Sequence, residues 1–506
     1  MDAPRSDVHL IALLRSDLLQ ADFTVARLGE LWGEEAAAAL HRGHRVPAIR
    51  ALARATRFDP AAVLARAFVL GLPVDDADLA RALPSLGVAG AEQLGLCDDI
   101  LTPLIDLRPY SFTDDWGEAN WWIASDPGEL STGRELSENH VLGVGGASLT
   151  LSGLMIDRSA GTTLDLGTGC GIQALHASRH SGRVIATDIS ERALDYARFN
   201  AALNGVTNIE FRFGSLFEPV AGELFDHIVS NPPFVITPRA EGVPAYEYRD
   251  GGLVGDALVA DVIAGAAQHL RPGGVAQLLG NWEYRGTQDA FDRVSGWLDA
   301  TNLDAWIVER EVQDAALYAE TWIRDGGTRA GAEFDRLSEA WLADFEERDV
   351  SRVGFGYLTL RKPAGLRGPR LRRLERLDAP VATGLGAHVT ATLSAYDWQA
   401  SLDDHALSRA LLTVAPDVTE ERHYWPGDEH PAVMNLKQGG GFARSYPLDT
   451  ALAAVVGACD GELSVAAICG ALGDLLEVDA VVLLDDVLPI VRELVTVGVL
   501  RRPEVG

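Results

Sequence analysis

Apolar residues fall at i, i+3, i+4 spacing through FTVARLGELWGEEAAAALHRG (residues 23–43) and FDPAAVLARAFVLGLPV (58–74), with alanine between them. That period marks amphipathic helices. ADLARALPSLGVAGAEQLGL (77–96) repeats it and stops in a glycine-punctuated turn. Residues 1–110 are therefore expected to form a helical, winged-helix-like domain of short helices with small connecting strands, or equally a helical cap with no recognition role. Residues 111–160 break the pattern. PYSFTDDWGEANWWIASDPGEL is aromatic and acidic, and HVLGVGGASLTLSGLMI sets glycines ahead of a helix-like run. This stretch reads as a connecting or lid region.

From residue 161 the period switches. TTLDLG, RVIATDIS, IEFRFGS, FDHIVSN and VAQLLGNW are short apolar strands, and IQALHASRHS, RALDYARFNAALNG and ALVADVIAGAAQHLRPGG are helices between them. LDAWIVERE and RVGFGYLTLRK add two late strands, a candidate edge hairpin. Strands alternating with helices imply a doubly wound parallel α/β sheet over 161–362. Residues 363–378 read as a basic linker. They overlap RKPAGLRGPRLRRLERL (361–377), the one basic run in the chain, which is either a solvated connector or a contact for RNA, a ribosome or an acidic partner. Residues 379–506 are expected to be an acidic α+β, winged-helix-like domain, with ERHYWPGDEHPAVMNLKQGGGFARS (421–445) as a loop.

Composition narrows the picture. The chain has 506 residues and a formal net charge of -30, so its global field repels phosphate and lowers the expectation of unaided duplex binding. No apolar run reaches the roughly 18 residues that a membrane helix needs. The N-terminal stretch is too charged and its apolar core too short for a signal peptide, and a cytoplasmic protein is expected. Cys97, Cys170, Cys459 and Cys469 form no C-x-x-C pair, so neither a zinc site nor a disulfide framework is expected.

Three motifs carry chemistry. LDLGTGCGIQAL places Asp165 at a strand end and Gly167, Gly169 and Gly171 in the turn before a helix, where glycine lets backbone approach a ligand. Asp188 ends the next strand, where an acid can accept two ribose hydroxyls. VSNPPFVITP ends the fourth strand with Asn231, Pro232, Pro233 and Phe234. Taken alone, that last motif is a strand-terminating turn. In order with the other two it is a site. His140, Tyr246, Glu247, Tyr248 and Asp250 are weaker candidates, and Cys170 reads as a small filler.

On these motifs, residues 161 to about 362 resemble the class I S-adenosylmethionine-dependent methyltransferases, about 40% of the chain. NPPF is similar to the motif of amino-group methylators: adenine or guanine N-methyltransferases and HemK-type glutamine side-chain methyltransferases. VITP and the later YEYRDGGLVGD look most like the HemK-type branch, and NHVLGVGGAS is similar to text in small-domain rRNA methyltransferases. The resemblance implies that Asp165, Gly167, Thr168, Gly169 and Gly171 hold the methionine end of S-adenosylmethionine. It implies that Asp188 binds the ribose, with Ile189 against the adenine and Ser215 and Leu216 near its amino group, and that Asn231 also contacts the cofactor. Many relatives carry Asp where this chain has Ser215, and a hydroxyl accepts that hydrogen bond more weakly.

An amide nitrogen is a poor nucleophile because its lone pair is delocalised. Asn231 Oδ1 and the Pro232 carbonyl can accept its two N–H groups and aim the nitrogen, Pro233 holds the turn, and Phe234 stacks on the planar group. The expected activity is N-methylation of a protein glutamine, with a translation factor as partner. An rRNA or tRNA base is the alternative acceptor, and a non-catalytic cofactor-binding scaffold is the alternative of another class.

Overall fold

The computed structural model describes residues 1–506 except 1–2, 55–56, 133–135, 157, 366–369, 378–380, 382–383 and 504–506. The first helices start where the sequence supplies a side-chain acceptor. Asp7 caps Val8–Gln20 by accepting from the His9 and Leu10 amides, Thr24 caps Val25–His41, and Asp59 caps Pro60–Leu64. Among the described residues no strand separates the helices between Val8 and Leu94, so the small connecting strands expected there are absent. The chain divides into two compact units: 1–152, 159–303 and 309–363 in the first, and 153–158, 304–308 and 364–506 in the second.

The expected boundary at residue 110 does not divide the first unit. Strands β1 (Asp106–Asp114) and β2 (Gly117–Ser125) pair as an antiparallel hairpin in the region expected to be a connector. Trp121 and Trp122 are buried in one core with Phe23 and Phe68 of the helices and with Ile172, Tyr196 and Phe199 of the α/β region. Two asparagines one turn apart on helix Glu191–Asn204 hold the hairpin. Asn200 Oδ1 accepts from the Ala124 amide at 2.7 Å, and Asn204 Oδ1 accepts from the Trp122 amide at 2.9 Å. A shared apolar core together with satisfied backbone polar groups makes the helical region and the α/β region one body.

The α/β sheet follows the sequence pattern. Its strands are β3 (Ala160–Leu166), β4 (Ser181–Asp188), β5 (Ile209–Phe213), β6 (Phe225–Ser230), β7 (Leu270–Arg285), β8 (Asp304–Asp314) and β9 (Val350–Arg361). They are seven of the eight strands of that sheet, in the order β8-β9-β7-β6-β3-β4-β5. Pairs among β3, β4, β5, β6 and β7 are parallel, and β9 runs antiparallel to β7. The order reverses at β3, where ligand sites of open α/β sheets lie at the carboxyl ends of the strands. Helices Ala315–Asp325 and Ala332–Glu347 interrupt the late strand pair. They form a second small core through Tyr318, Trp341 and Phe345 against Val235 and Ile236.

In the second unit, part of the expected linker is ordered. Strand β10 (Arg372–Arg376) lies in it, and its arginines are not a free basic patch: Arg373 pairs with Glu375 and Glu493. Residues 366–369 and 378 of that linker lie outside the described residues. The unit is α+β. Strands β11 (Leu411–Val414), β12 (Val418–His423), β13 (Val433–Gln438), β14 (Ser445–Leu448), β15 (Asp460–Ser464) and β16 (Leu500–Arg501) form two sheets, ordered β15-β11-β16 and β12-β13-β14. The second sheet replaces the loop expected over 421–445. Its edge strand β12 is exposed on both faces, so it carries no apolar alternation that would reveal a strand.

Candidate active site

Four strand ends meet beside one another. The backbone turns out of β3 with Gly167, Gly169 and Gly171 all at positive φ. The Gly167 and Thr168 amides both donate to the Thr187 carbonyl at 2.9 Å, which holds the turn against β4. Gly214 N donates to Asp188 O at 3.0 Å, joining the end of β5 to that of β4, and Ser230 Oγ donates to Leu166 O at 2.7 Å, joining β6 to β3. Asp165, Asp188, Ser215 and Asn231 therefore stand at neighbouring carboxyl ends.

Asp165 is fully buried. Its Oδ2 accepts from Thr168 Oγ1 at 2.6 Å, and its Oδ1 has no hydrogen-bond partner. Burial, opposed by the Thr168 hydrogen bond and reinforced by Asp188, pushes its carboxyl up to about 7. Asp188 accepts from Gly169 N through Oδ2 and from Ser190 N through Oδ1, each at 2.9 Å. Its carboxyl also lies above the ordinary range, chiefly from burial. Ile189 is exposed, Ser215 and Leu216 are half-buried, and Leu216 takes a left-handed φ of 46°. A Cβ built on Gly169 would meet nothing within 4 Å, so that backbone is open to a ligand. These residues fit a cofactor with a cationic amine and a ribose: an unpartnered buried carboxylate oxygen, a second carboxylate one strand over, and bare backbone between them. Cys170 is buried and its thiol is pushed up to about 12, which leaves it an inert filler.

At the end of β6, Asn231 Oδ1 is buried without a hydrogen-bond partner. The Pro232 carbonyl accepts from Phe234 N at 2.7 Å, a three-residue turn that uses one of its two lone pairs. Val235 N donates to Arg249 O at 2.8 Å, and Ile236 N donates to Tyr318 Oη at 2.9 Å. The motif is thus clamped from both sides. Phe234 faces Phe355 edge-on, with ring centroids 6.4 Å apart. Both line a cavity of 360 Å³ together with Trp322, Tyr357, Gln313 and Thr150.

The weaker candidates take structural places. Tyr246 Oη donates to Gly326 O, Tyr248 Oη donates to Asp325 Oδ2, and Asp250 pairs with Arg239. Buried His140 lies 3.7 Å from Asp126, a carboxylate already paired with Arg192, and burial lowers its basicity. Glu247 N donates to Glu138 O, and the Glu247 charge helps raise the Asp188 carboxyl. Sequence reasoning missed Tyr318, Trp322, Gln313 and Phe355. They lie more than 75 residues from the NPPF motif and belong to no local pattern.

The first unit thus carries an α/β sheet with its candidate ligand residues at neighbouring strand ends. Residues 144–296 match the family model described as methyltransferase small domain. Residues 20–99 and 391–502 match two models described as domains of unknown function, DUF7059 and DUF7782. Over 127 residues the chain is 42% identical to the release factor glutamine methyltransferase of Xylella fastidiosa, covering 24% of this chain and 46% of that one. Over 152 residues it is 33% identical to the ribosomal protein uL3 glutamine methyltransferase of Bradyrhizobium diazoefficiens, covering 28% of this chain and 46% of that one. The chain therefore spans about half the length of these curated relatives. Among solved structures, the ribosomal protein L11 methylase from Lactobacillus delbrueckii subsp. bulgaricus aligns at a TM-score of 0.26 and 21% identity, over 44% of this chain and 81% of that one. Among the described residues, no helix is long and apolar enough to cross a membrane.

Proposed function

We propose that this protein is an S-adenosylmethionine-dependent N-methyltransferase whose acceptor is the side-chain amide of a protein glutamine. The observation that carries the reading is Asn231 Oδ1: a buried acceptor without a partner, at the end of the strand next to the open glycine turn, in the same turn as Phe234, which lines an aromatic-walled cavity. When bound, S-adenosylmethionine supplies an electrophilic methyl group. Asp165, Gly169 and Asp188 would hold it.

The chain's own residues prepare the nitrogen. Asn231 Oδ1 accepts one N–H, and the free lone pair of the Pro232 carbonyl accepts the other. Both interactions push density toward nitrogen and turn its lone pair toward the glycine turn. Phe234 covers the planar group and excludes water. The clamps from Arg249 and Tyr318 keep these acceptors in place, so alignment supplies most of the rate gain. The proton lost from nitrogen after transfer leaves to solvent, and the side chains named here need no strong base. The curated relatives described above are named as glutamine methyltransferases, which supports a translation-related protein acceptor here. The cytoplasmic setting is part of the same proposal.

The test is transfer of labelled methyl from S-adenosylmethionine into extract of a strain lacking the gene, followed by separate protease and nuclease treatment. Protease-sensitive label in one discrete band, absent with Asn231→Ala, is the expected result. Nuclease-sensitive label would replace the amide with a nucleic-acid base. Intact cofactor binding without label in either fraction would favour the scaffold reading.

A further inference from the structure

The cavity that Phe234 lines also carries two polar atoms that the methyl-transfer chemistry leaves unused. Trp322 Nε1 and Gln313 Oε1 are both buried and both lack a hydrogen-bond partner, and both residues line the cavity. Their characters are set. An indole N–H can only donate. Gln313 Nε2 donates to Glu311 Oε1 at 2.9 Å, so the oxygen of the same amide is the acceptor left over. A buried donor and a buried acceptor left unsatisfied carry a desolvation cost that a ligand completing both removes.

We propose that Trp322 and Gln313 form a subsite for the peptide group beside the methyl-accepting side chain, with Trp322 donating to its carbonyl and Gln313 accepting from its N–H. The proposal rests on the amide reading of the Asn231 site and adds how the polypeptide around that amide is held. One donor and one acceptor are what a peptide group requires. A phosphodiester offers only acceptors, and here it would face the Gln313 oxygen and the Glu311 carboxylate, while Arg310 lies 3.6 Å from that same Glu311.

The subsite is held in register with the reacting end. Arg249 Nη1 donates to the Trp322 carbonyl at 2.6 Å while the Arg249 carbonyl accepts from Val235 N, so one residue links the tryptophan to the NPPF turn. One helical turn before Trp322, Tyr318 takes the Ile236 amide, and the Tyr318 and Trp322 rings are 6.1 Å apart. The volume of 360 Å³ falls in the range of small-molecule pockets, about 300–1,000 Å³, enough for a side-chain amide and a backbone group together.

Two probes separate the subsites: N-acetylglutamine N-methylamide, which carries side-chain and backbone amides, and propionamide, which carries only the first. Binding to the full chain is followed by NMR titration with S-adenosylhomocysteine present, so that no turnover occurs. The blocked glutamine is expected to bind at least ten-fold more tightly than propionamide. Trp322→Phe, which keeps the ring and removes only the N–H, and Gln313→Leu should each erase most of that advantage and leave propionamide unchanged. Asn231→Ala should weaken both probes. If the blocked glutamine has no advantage, or keeps it in both subsite variants, the proposal is overturned while the amide reading stands on the Asn231-dependent propionamide signal. If neither amide binds, both fall, and Asn231-dependent binding of adenosine or guanosine would then identify the acceptor as a base.

Discussion

The first unit turns at residues 167–171 and the second at 439–441, and each turn sets glycine in left-handed backbone. Their surroundings differ. A Cβ on Gly169 would meet nothing within 4 Å, whereas one on Gly441 would lie 2.5 Å from the His388 ring. At the second turn, Gly439 N donates to the Asp417 carbonyl at 2.7 Å and Gly440 N to Asp417 Oδ2 at 3.0 Å. His388 and Phe442 pack edge-on, 5.6 Å between centroids. The second turn closes on its own core. The first leaves open backbone, an orphan oxygen on Asp165 and another on Asn231. The second turn also has unsatisfied buried atoms beside it, His388 Nε2 and Gln438 Oε1, so neither glycine content nor orphan polar atoms alone separate the two turns; open backbone space beside such atoms does.

The contrast can be broken most forcefully at Asn231. Asn231→Ala should lower methyl transfer by about 100- to 1,000-fold, the usual effect of losing one preorganised polar contact, with the cofactor dissociation constant unchanged in calorimetry. Loss of cofactor binding instead would move Asn231 from the acceptor to the cofactor.

Matched alanine substitutions test the two turns directly. Gly441→Ala should destabilise the second unit by roughly 2–4 kcal/mol, from left-handed strain and overpacking against His388. Gly169→Ala carries only the strain, about 1–2 kcal/mol, but should weaken S-adenosylmethionine binding at least ten-fold because the methyl occupies ligand space. Equal melting shifts for the two variants would dissolve the distinction.

Acid should act on the two units in opposite senses. Burial, with Thr168 opposing and Asp188 adding, raises the Asp165 carboxyl from 3.8 to about 7. Its contribution to stability is complete below 3.8 and is lost as pH rises through 7. Burial, assisted by the Arg444 charge, lowers His388 from 6.5 to about 4. Its contribution is complete above 6.5 and is lost as pH falls through 4. Peptide-resolved hydrogen exchange from pH 4 to 7 should show the segment at 388 loosening with acid and the segment at 165 tightening. Cofactor affinity should fall by up to about ten-fold per pH unit below 7, because a cationic amine needs the ionised Asp165. A flat affinity profile would remove Asp165 from the ligand contact.

What could be read in the sequence was what depends on near neighbours. The strand and helix periods of 161–362, the glycine turn after Asp165, the acid at 188 and the NPPF turn are all local, since backbone geometry and side-chain alternation repeat within a few residues. Those signals were enough to place an α/β sheet and to set the candidate residues at its strand ends. Tertiary structure decided the rest. Asn200 and Asn204 dock a hairpin that the sequence presents as a connector, because their partners are backbone amides 76 and 82 residues away. Strand β12 hid as a loop because an edge exposed on both faces has no apolar alternation. Gly441 carries no local mark of its role, because it is distant His388 that fills the place of its side chain. Trp322 and Gln313 entered the cavity only through the packing of a helix and a strand end far along the chain. Burial, unsatisfied polar atoms and open space belong to pairs of distant residues, and no stretch of sequence contains them by itself.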